Sequence, residues 1–125
     1  MSIPNKTLVL GASTNPTRYS HLCILEFAKR SFPVEAVGLR EGLAGNISIM
    51  TGQPWFENIH TITLYLGANN QKAYYNYILS LNPKRVIFNP GAENPEFELM
   101  LENAGIEVVH ACSIMMLHAG VFYDD

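Results

Sequence analysis

KTLVLGASTNPTRYS, residues 6–20, is the stretch of sequence that decides the fold. Its first part, Lys6 to Leu10, is a short and largely apolar run that ends at Gly11, a pattern typical of a strand buried on both faces of a sheet. The small and polar residues that follow lead into a segment from Ser20 to Ser31 with the apolar pattern of a largely buried helix. The sequence therefore predicts a central strand, a polar loop and a helix.

The rest of the chain repeats this alternation. Further strands are predicted at Val34–Leu39, Thr61–Leu66, Arg85–Phe88 and Glu107–His110, and further helices at Asn69–Leu81 and Pro95–Ala104. Residues 42–59 have several glycines and no sustained period, so we expect irregular structure there with one short strand at Ile47–Met50. This pattern predicts one Rossmann-type α/β domain over residues 1–125, with a mostly parallel sheet of five or six strands and helices on both faces.

Composition narrows the classes of function. The chain has 125 residues, of which 48% are hydrophobic and 15% charged, and its net charge is -3. These values suit one domain with its own core and argue against a nucleic-acid-binding protein, which needs a basic surface. Neither a membrane span nor a signal peptide is recognisable, and two separated cysteines predict free thiols, so we expect a cytoplasmic protein.

The loop between the first strand and the first helix has the composition of an anion-binding site. Gly11 and Ala12 leave room for the backbone to approach a ligand, and the helix start supplies free N–H groups and the positive end of the helix dipole. Side chains able to form hydrogen bonds lie at Ser13, Thr14, Asn15 and Ser20. Because Arg18 adds a full positive charge, the loop predicts a phosphate site.

The loop lacks the fingerprints of two common nucleotide sites. It has neither the G-x-G-x-x-G of dinucleotide-binding domains nor the G-x-x-x-x-G-K-[ST] of P-loop NTPases. After the second predicted strand, where an NAD-binding domain often places an acidic residue, the chain has Leu39-Arg40-Glu41. Arg40 suits a ribose phosphate better than free ribose hydroxyls. The two observations disfavour NAD and favour a ligand with an additional phosphate.

Residues 11–20 resemble the G-A-S-x-x-P-x-R-x-S signature of small, stand-alone CoA-binding proteins, which are relatives of the CoA-binding domain of succinyl-CoA synthetase. The resemblance covers nearly the whole chain. Residues 89–94, which read NPGAEN, are similar to the family's glycine-containing loop after a late strand, and Cys112 lies near the family's terminal cysteine. The resemblance implies a Rossmann-type domain that holds coenzyme A or an acyl-CoA across the carboxyl ends of its strands, with the phosphates at the first loop.

The resemblance also implies the contact residues. Contacts expected at the first loop are Gly11, Ala12, Ser13, Asn15, Arg18 and Ser20, and those expected elsewhere are Arg40, Tyr65, Pro90, Gly91 and Cys112. Two segments depart from the family. Residues 37–40 read VGLR where the family often has V-N-P-K, which keeps the final positive charge. Residues 64–67 read LYLG where the family often has an aspartate, an aromatic residue and an arginine, so a charge is missing there.

Several alternatives stay open at this point. We expect a protein that binds its cofactor without catalysing a reaction. Its assembly is open between a single chain, a homo-oligomer and a complex with a partner enzyme subunit. An enzyme that uses NADP or an acyl-CoA would need a reactive Cys112, with His110 two positions earlier on the same strand face as its base. A third hypothesis is an interaction module with a vestigial pocket. The spacing of His110, Cys112 and His118 matches no standard zinc pattern. The apolar residues 112–118 either contact a pantetheine arm or pack in the core.

Overall fold

The computed structural model describes residues 5–123, so the ends of the predicted domain, at residues 1 and 125, lie outside the described part. The strands are β1 Lys6–Ala12, β2 Val34–Gly38, β3 Gly42–Ala44, β4 Ile47–Met50, β5 Ile59–Leu64, β6 Arg85–Phe88 and β7 Glu107–His110. The helices are α1 Tyr19–Lys29, α2 Ala68–Gln71, α3 Tyr75–Leu81, α4 Pro95–Asn103 and α5 Ser113–His118. A 3-10 turn at Lys72–Tyr74 joins α2 to α3.

The strands form one sheet in the order β3-β4-β2-β1-β5-β6-β7. All neighbouring pairs are parallel except β3 with β4. From β1 the chain moves outward through β2 and β4, then returns to the other side of β1 and moves outward through β5, β6 and β7. The direction therefore reverses at β1, and in open parallel sheets ligands bind at the carboxyl ends of the strands at such a reversal.

Both faces of the sheet are covered by helices. Leu8 and Leu10 point to the face covered by α3 and α4, whose Ile78 and Phe97 are fully buried. Val9 points to the opposite face, where α1 and α5 pack. Because β1 is buried on both sides, it reads as an uninterrupted apolar run in the sequence. The predicted Rossmann-type α/β class, with helices on both faces, is confirmed.

The sheet has seven strands rather than the five or six predicted. The additional strand, β3, spans only three residues, Gly42–Ala44, which pair antiparallel with β4 inside the segment predicted to be largely irregular. A three-residue strand that includes a glycine gives too short a pattern to detect. The predicted helix at Asn69–Leu81 is divided by the 3-10 turn, and α5 lies within the apolar tail for which no helix was predicted. Within residues 5–123, no helix is long and apolar enough to cross a membrane.

The carboxyl end of β1 passes its two neighbours at backbone contact distance. A Cβ atom on Gly11 would lie 2.8 Å from the carbonyl carbon and oxygen of Tyr65, which follows β5. A Cβ atom on Gly38, the last residue of β2, would lie 2.0 Å from the carbonyl oxygen of Ala12. Gly11 also has a φ of +96°, a backbone conformation that side-chain-bearing residues rarely adopt. Glycine is thus required at both positions for the strands to keep their spacing.

Replacing Gly38 by alanine is expected to destabilise the fold, because the added methyl group meets backbone atoms that cannot rotate away. Overpacking of this kind costs roughly 1–3 kcal/mol of the free energy of unfolding, which urea unfolding would measure. Gly67→Ala is the matched control, since a Cβ there meets nothing within 4 Å. Equal losses of stability in the two variants would contradict the close-approach explanation.

Candidate functional site

A cavity of about 690 Å³ opens at the carboxyl ends of β1, β2, β5 and β6. Its walls are the loops that follow these strands, so it lies where the direction of the chain reverses. The structure brings ten of the predicted contact residues to this cavity, namely Gly11, Ala12, Ser13, Asn15, Arg18, Ser20, Arg40, Tyr65, Pro90 and Gly91. Cys112 does not line it. The lining also includes residues that were not predicted, among them Tyr19, Leu39, Asn70 and Tyr74.

The β1–α1 loop is held in shape by its own side chains. Ser13 Oγ accepts a hydrogen bond from the Asn15 N–H at 3.0 Å, and Asn15 Oδ1 accepts one from the Thr17 N–H at 3.0 Å. The buried His21 ring joins the loop to α1, since its Nδ1 lies 2.8 Å from the Ser13 carbonyl oxygen, which can only accept. The Asn15 side-chain oxygen is therefore used within the loop, while its Nδ2 group donates to no other group among the described residues.

The start of α1 and two arginines give this end of the cavity a positive potential. Helix α1 begins after Arg18 without a side-chain cap, so no side chain occupies its first N–H groups. Tyr19 and Ser20, the first two residues of the helix, both line the cavity. Arg18 and Arg40 line it as well, and neither forms an ion pair with another residue in the 5–123 range. An anion in the cavity would meet free N–H groups and two uncompensated charges.

The opposite wall is built from the loops after β5 and β6, and a single buried side chain joins them. Gln71, which is fully buried, donates from Nε2 to the Leu66 carbonyl at 2.8 Å and to the Ala92 carbonyl at 2.7 Å. Its Oε1 accepts a hydrogen bond from Asn94 Nδ2 at 2.9 Å. Asn94 in turn caps α4 by accepting from the Phe97 N–H at 3.1 Å. The amide of Gln71 thus fixes the separation of the two loops.

A second buried polar group lies beneath the same wall. Asn89 donates to Thr63 Oγ1 at 2.7 Å and to the Leu64 carbonyl at 2.8 Å, and its Oδ1 accepts from the Ser113 N–H at 2.9 Å. These bonds join the ends of β5 and β6 to the start of α5. Buried amides with all their bonds made rigidify the backbone around them. The wall formed by residues 89–92 therefore rests on a fixed base.

The N–H of Gly91 is already occupied. It donates to the Glu93 carboxylate, at 3.0 Å to Oε1 and 3.2 Å to Oε2. The backbone N–H groups of Glu93 and Gly91 stabilise the charged form and lower the pKa of this carboxyl below its usual value. The glycine-containing loop therefore presents a carboxylate, rather than a free N–H group at Gly91, beside the cavity.

Cys112 and His110 lie on different sides of the sheet. His110 Nε2 lies 2.8 Å from Glu98 Oε1 on α4, and its ring contacts Phe88. Cys112 caps α5 on the other face and lies near Cys23 of α1 and the hydroxyl of Tyr65. The prediction that His110 and Cys112 share a strand face is therefore wrong, because the strand ends at His110 and the chain turns into α5.

The thiol of Cys23 is kept protonated by its surroundings. Burial raises the pKa of Cys23 to about 12, against a partial opposing effect from the Tyr65 hydroxyl beside it. Desolvation also raises the pKa of Tyr65 itself, whose buried hydroxyl oxygen has no hydrogen bond of good geometry within the described residues. Cys23 and Tyr65 thus behave as parts of the core. Among residues 5–123, no group of three histidine, cysteine or carboxylate side chains is arranged to hold a metal ion.

Sequence reasoning missed the residues that hold the loops. His21, Gln71, Asn89 and Asn94 are all nine-tenths buried or more. Two of them carried a signal: Asn89 directly follows an apolar strand, and Asn94 directly precedes the proline that begins α4. An asparagine before Pro95 is a recognisable helix cap. Gln71 and His21 carried no such signal, because their partners are backbone carbonyls of irregular loops, whose positions a sequence pattern does not predict.

Comparisons with other proteins found one family model and several similar structures. A family model described as a CoA binding domain matches residues 5–119. A crystal structure described only as that of an uncharacterized protein is 43% identical, with a TM-score of 0.91, and the match covers 97% of this chain and 100% of that chain. The Thermus thermophilus protein called cell-free ID.343 is 26% identical, with a TM-score of 0.82, over 95% of this chain and 91% of that one.

A more distant likeness concerns the fold alone. A hypothetical protein from Pyrococcus horikoshii OT3 is 19% identical, with a TM-score of 0.80, over 94% of this chain and 84% of that chain. No curated protein is significantly similar in sequence. The match to the family model over almost the whole chain, together with the near-complete overlap with the 43% identical structure, shows that the chain belongs to the CoA binding domain family.

Proposed function

We propose that the chain binds coenzyme A or an acyl-CoA in the cavity at the carboxyl ends of β1, β2, β5 and β6, and that it does so without catalysis of its own. The observation that carries the proposal is the pair of unpaired arginines, Arg18 and Arg40, which line one cavity together with the uncapped start of α1. Coenzyme A carries a diphosphate and a separate 3′-phosphate. Two separated cations and a helix start fit two separated anionic groups.

The diphosphate is assigned to the β1–α1 loop. The N–H groups at the start of α1, the hydroxyl groups of Ser13 and Ser20, and the guanidinium of Arg18 can all act as donors there. In this arrangement most donors are fixed by the backbone before the ligand arrives, which lowers the entropy lost on binding.

The 3′-phosphate is assigned to Arg40, just beyond the carboxyl end of β2. In parallel α/β sheets this end of the second strand is where a ribose lies, and a positive side chain there accommodates a ribose phosphate. NADP also carries a ribose phosphate and a diphosphate, so charge alone does not separate the two ligands. Membership in the CoA binding domain family favours coenzyme A.

No chemical step is assigned to the chain. The base that would activate the Cys112 thiol is not beside it, because His110 contacts Glu98 on one face of the sheet and Cys112 lies near Cys23 on the other. The chain therefore acts as a holder of the cofactor, and Cys112, which does not line the cavity, has no role in it.

Titration calorimetry with coenzyme A tests the role of Arg18. Removing a charged donor to a phosphate costs roughly 1.5–3 kcal/mol, so Arg18→Ala is expected to weaken binding about tenfold to a hundredfold. Lys29→Ala is the matched control, because it removes an exposed positive charge at the far end of the same helix. Binding of NADP with no binding of coenzyme A by the unaltered chain would refute the proposal, and so would equal affinities in the two variants.

Comparison of coenzyme A with dephospho-coenzyme A tests the role of Arg40. The unaltered chain is expected to bind dephospho-coenzyme A more weakly, because the 3′-phosphate is missing. Arg40→Ala should reduce the affinity for coenzyme A and leave that for dephospho-coenzyme A nearly unchanged, so that the two ligands bind alike. If the variant weakened both ligands by the same factor, Arg40 would act on something other than the 3′-phosphate.

A further inference from the structure

The two ends of the cavity differ in charge. Arg18 and Arg40, the charged residues of its lining, both lie at the end formed by β1 and β2. At the end formed by the loops after β5 and β6, the lining consists of uncharged residues, which are Tyr65, Leu66, Gly67, Asn70, Tyr74 and residues 90–92. A ligand with phosphates at one end only is therefore oriented by the cavity.

Negative charge lies directly behind the uncharged end. Glu93 does not line the cavity, but its carboxylate accepts the N–H of Gly91, which does, at 3.0 Å. Two further carboxylates follow on the first turn of α4. Glu96 accepts from the Tyr75 hydroxyl at 3.0 Å, and Glu98 Oε1 lies 2.8 Å from His110 Nε2. The His110 ring lies close enough to interact with the carboxylates of both Glu98 and Glu93. Of the three carboxylates, that of Glu93 is the one hydrogen-bonded to a residue of the cavity lining.

The Glu93 carboxylate is held in place by the loop that carries it. Ala92 N–H donates to the Asn89 carbonyl at 2.9 Å, which closes a turn over Pro90 and Gly91. The Ala92 carbonyl accepts from the buried amide of Gln71 at 2.7 Å. Since Ala92, which lies between Gly91 and Glu93, is bonded through both its N–H and its carbonyl, the Glu93 carboxylate stays close to the wall of the cavity.

The orientation of the ligand follows from these charges. All the phosphates of coenzyme A belong to its nucleotide half, and the thiol ends an uncharged pantetheine arm. With the phosphates at Arg18 and Arg40, the thiol or thioester lies toward the loops after β5 and β6. Resting on the proposed function, we infer that the cavity selects coenzyme A and its uncharged thioesters over thioesters whose acyl group ends in a carboxylate, and that Glu93 determines this selectivity.

Calorimetric titration of the full chain with acetyl-CoA and succinyl-CoA tests the inference. Interactions between exposed charges are weak, so the unaltered chain should bind acetyl-CoA about twofold to fivefold more tightly at low salt. The preference should shrink at about 1 M salt, where the Debye length falls to roughly 3 Å. Glu93→Gln keeps an oxygen that can accept the Gly91 N–H and removes the charge, so it should abolish the preference while leaving acetyl-CoA binding unchanged.

Glu102→Gln is the matched control, because it removes an exposed carboxylate from the last turn of α4 and should keep the preference. Equal affinities for the two thioesters in the unaltered chain would overturn this inference but not the proposed function. A preference that persists in Glu93→Gln would overturn the role of Glu93. Failure of coenzyme A and both thioesters to bind would overturn the proposed function, and the inference with it.

Discussion

The backbone contacts at the carboxyl end of β1 are the constraint on which the rest of the structure depends. There the chain passes between two neighbouring strands so closely that a Cβ on Gly11 or Gly38 would overlap backbone atoms. β1 is also where the direction of the sheet reverses, so the loops on its two sides diverge and leave a cavity between them. One geometric feature thus sets the strand spacing and places the cavity next to exposed backbone.

The two walls of the cavity are stabilised by different kinds of interaction. The wall at β1 and β2 is formed by hydrogen bonds between residues close in sequence within a polar loop, which leave the first N–H groups of α1 without a side-chain cap and the two arginines without ion-pair partners among the described residues. The wall at β5 and β6 depends on the buried amides of Gln71 and Asn89, which join the segments that follow these strands. Positive groups are therefore available to a ligand at one end, while at the other the lining is uncharged and the N–H of Gly91 is already bonded to Glu93.

Prediction from the sequence succeeded where the structure is governed by local pattern. The apolar run at residues 6–10, the loop of small residues and the alternation of strands with helices predicted the fold class. The contact residues came from the family resemblance, and ten of them line one cavity. Prediction failed where the pattern is too short or where a contact joins separate loops. β3 has only three residues, Gly42–Ala44, although it pairs with the next strand along the chain. Gln71 is buried because its amide also reaches the Ala92 carbonyl, 21 residues away. The separation of His110 from Cys112 likewise depends on the turn into α5.

A crystal structure of the chain grown with coenzyme A would show directly where and in which direction the ligand lies. We expect the diphosphate against the β1–α1 loop and the start of α1, the 3′-phosphate within contact of the Arg40 guanidinium, and the pantetheine arm directed toward Gly91. A coenzyme A molecule bound in the reverse direction, or bound away from this cavity while the cavity stays empty, would contradict it.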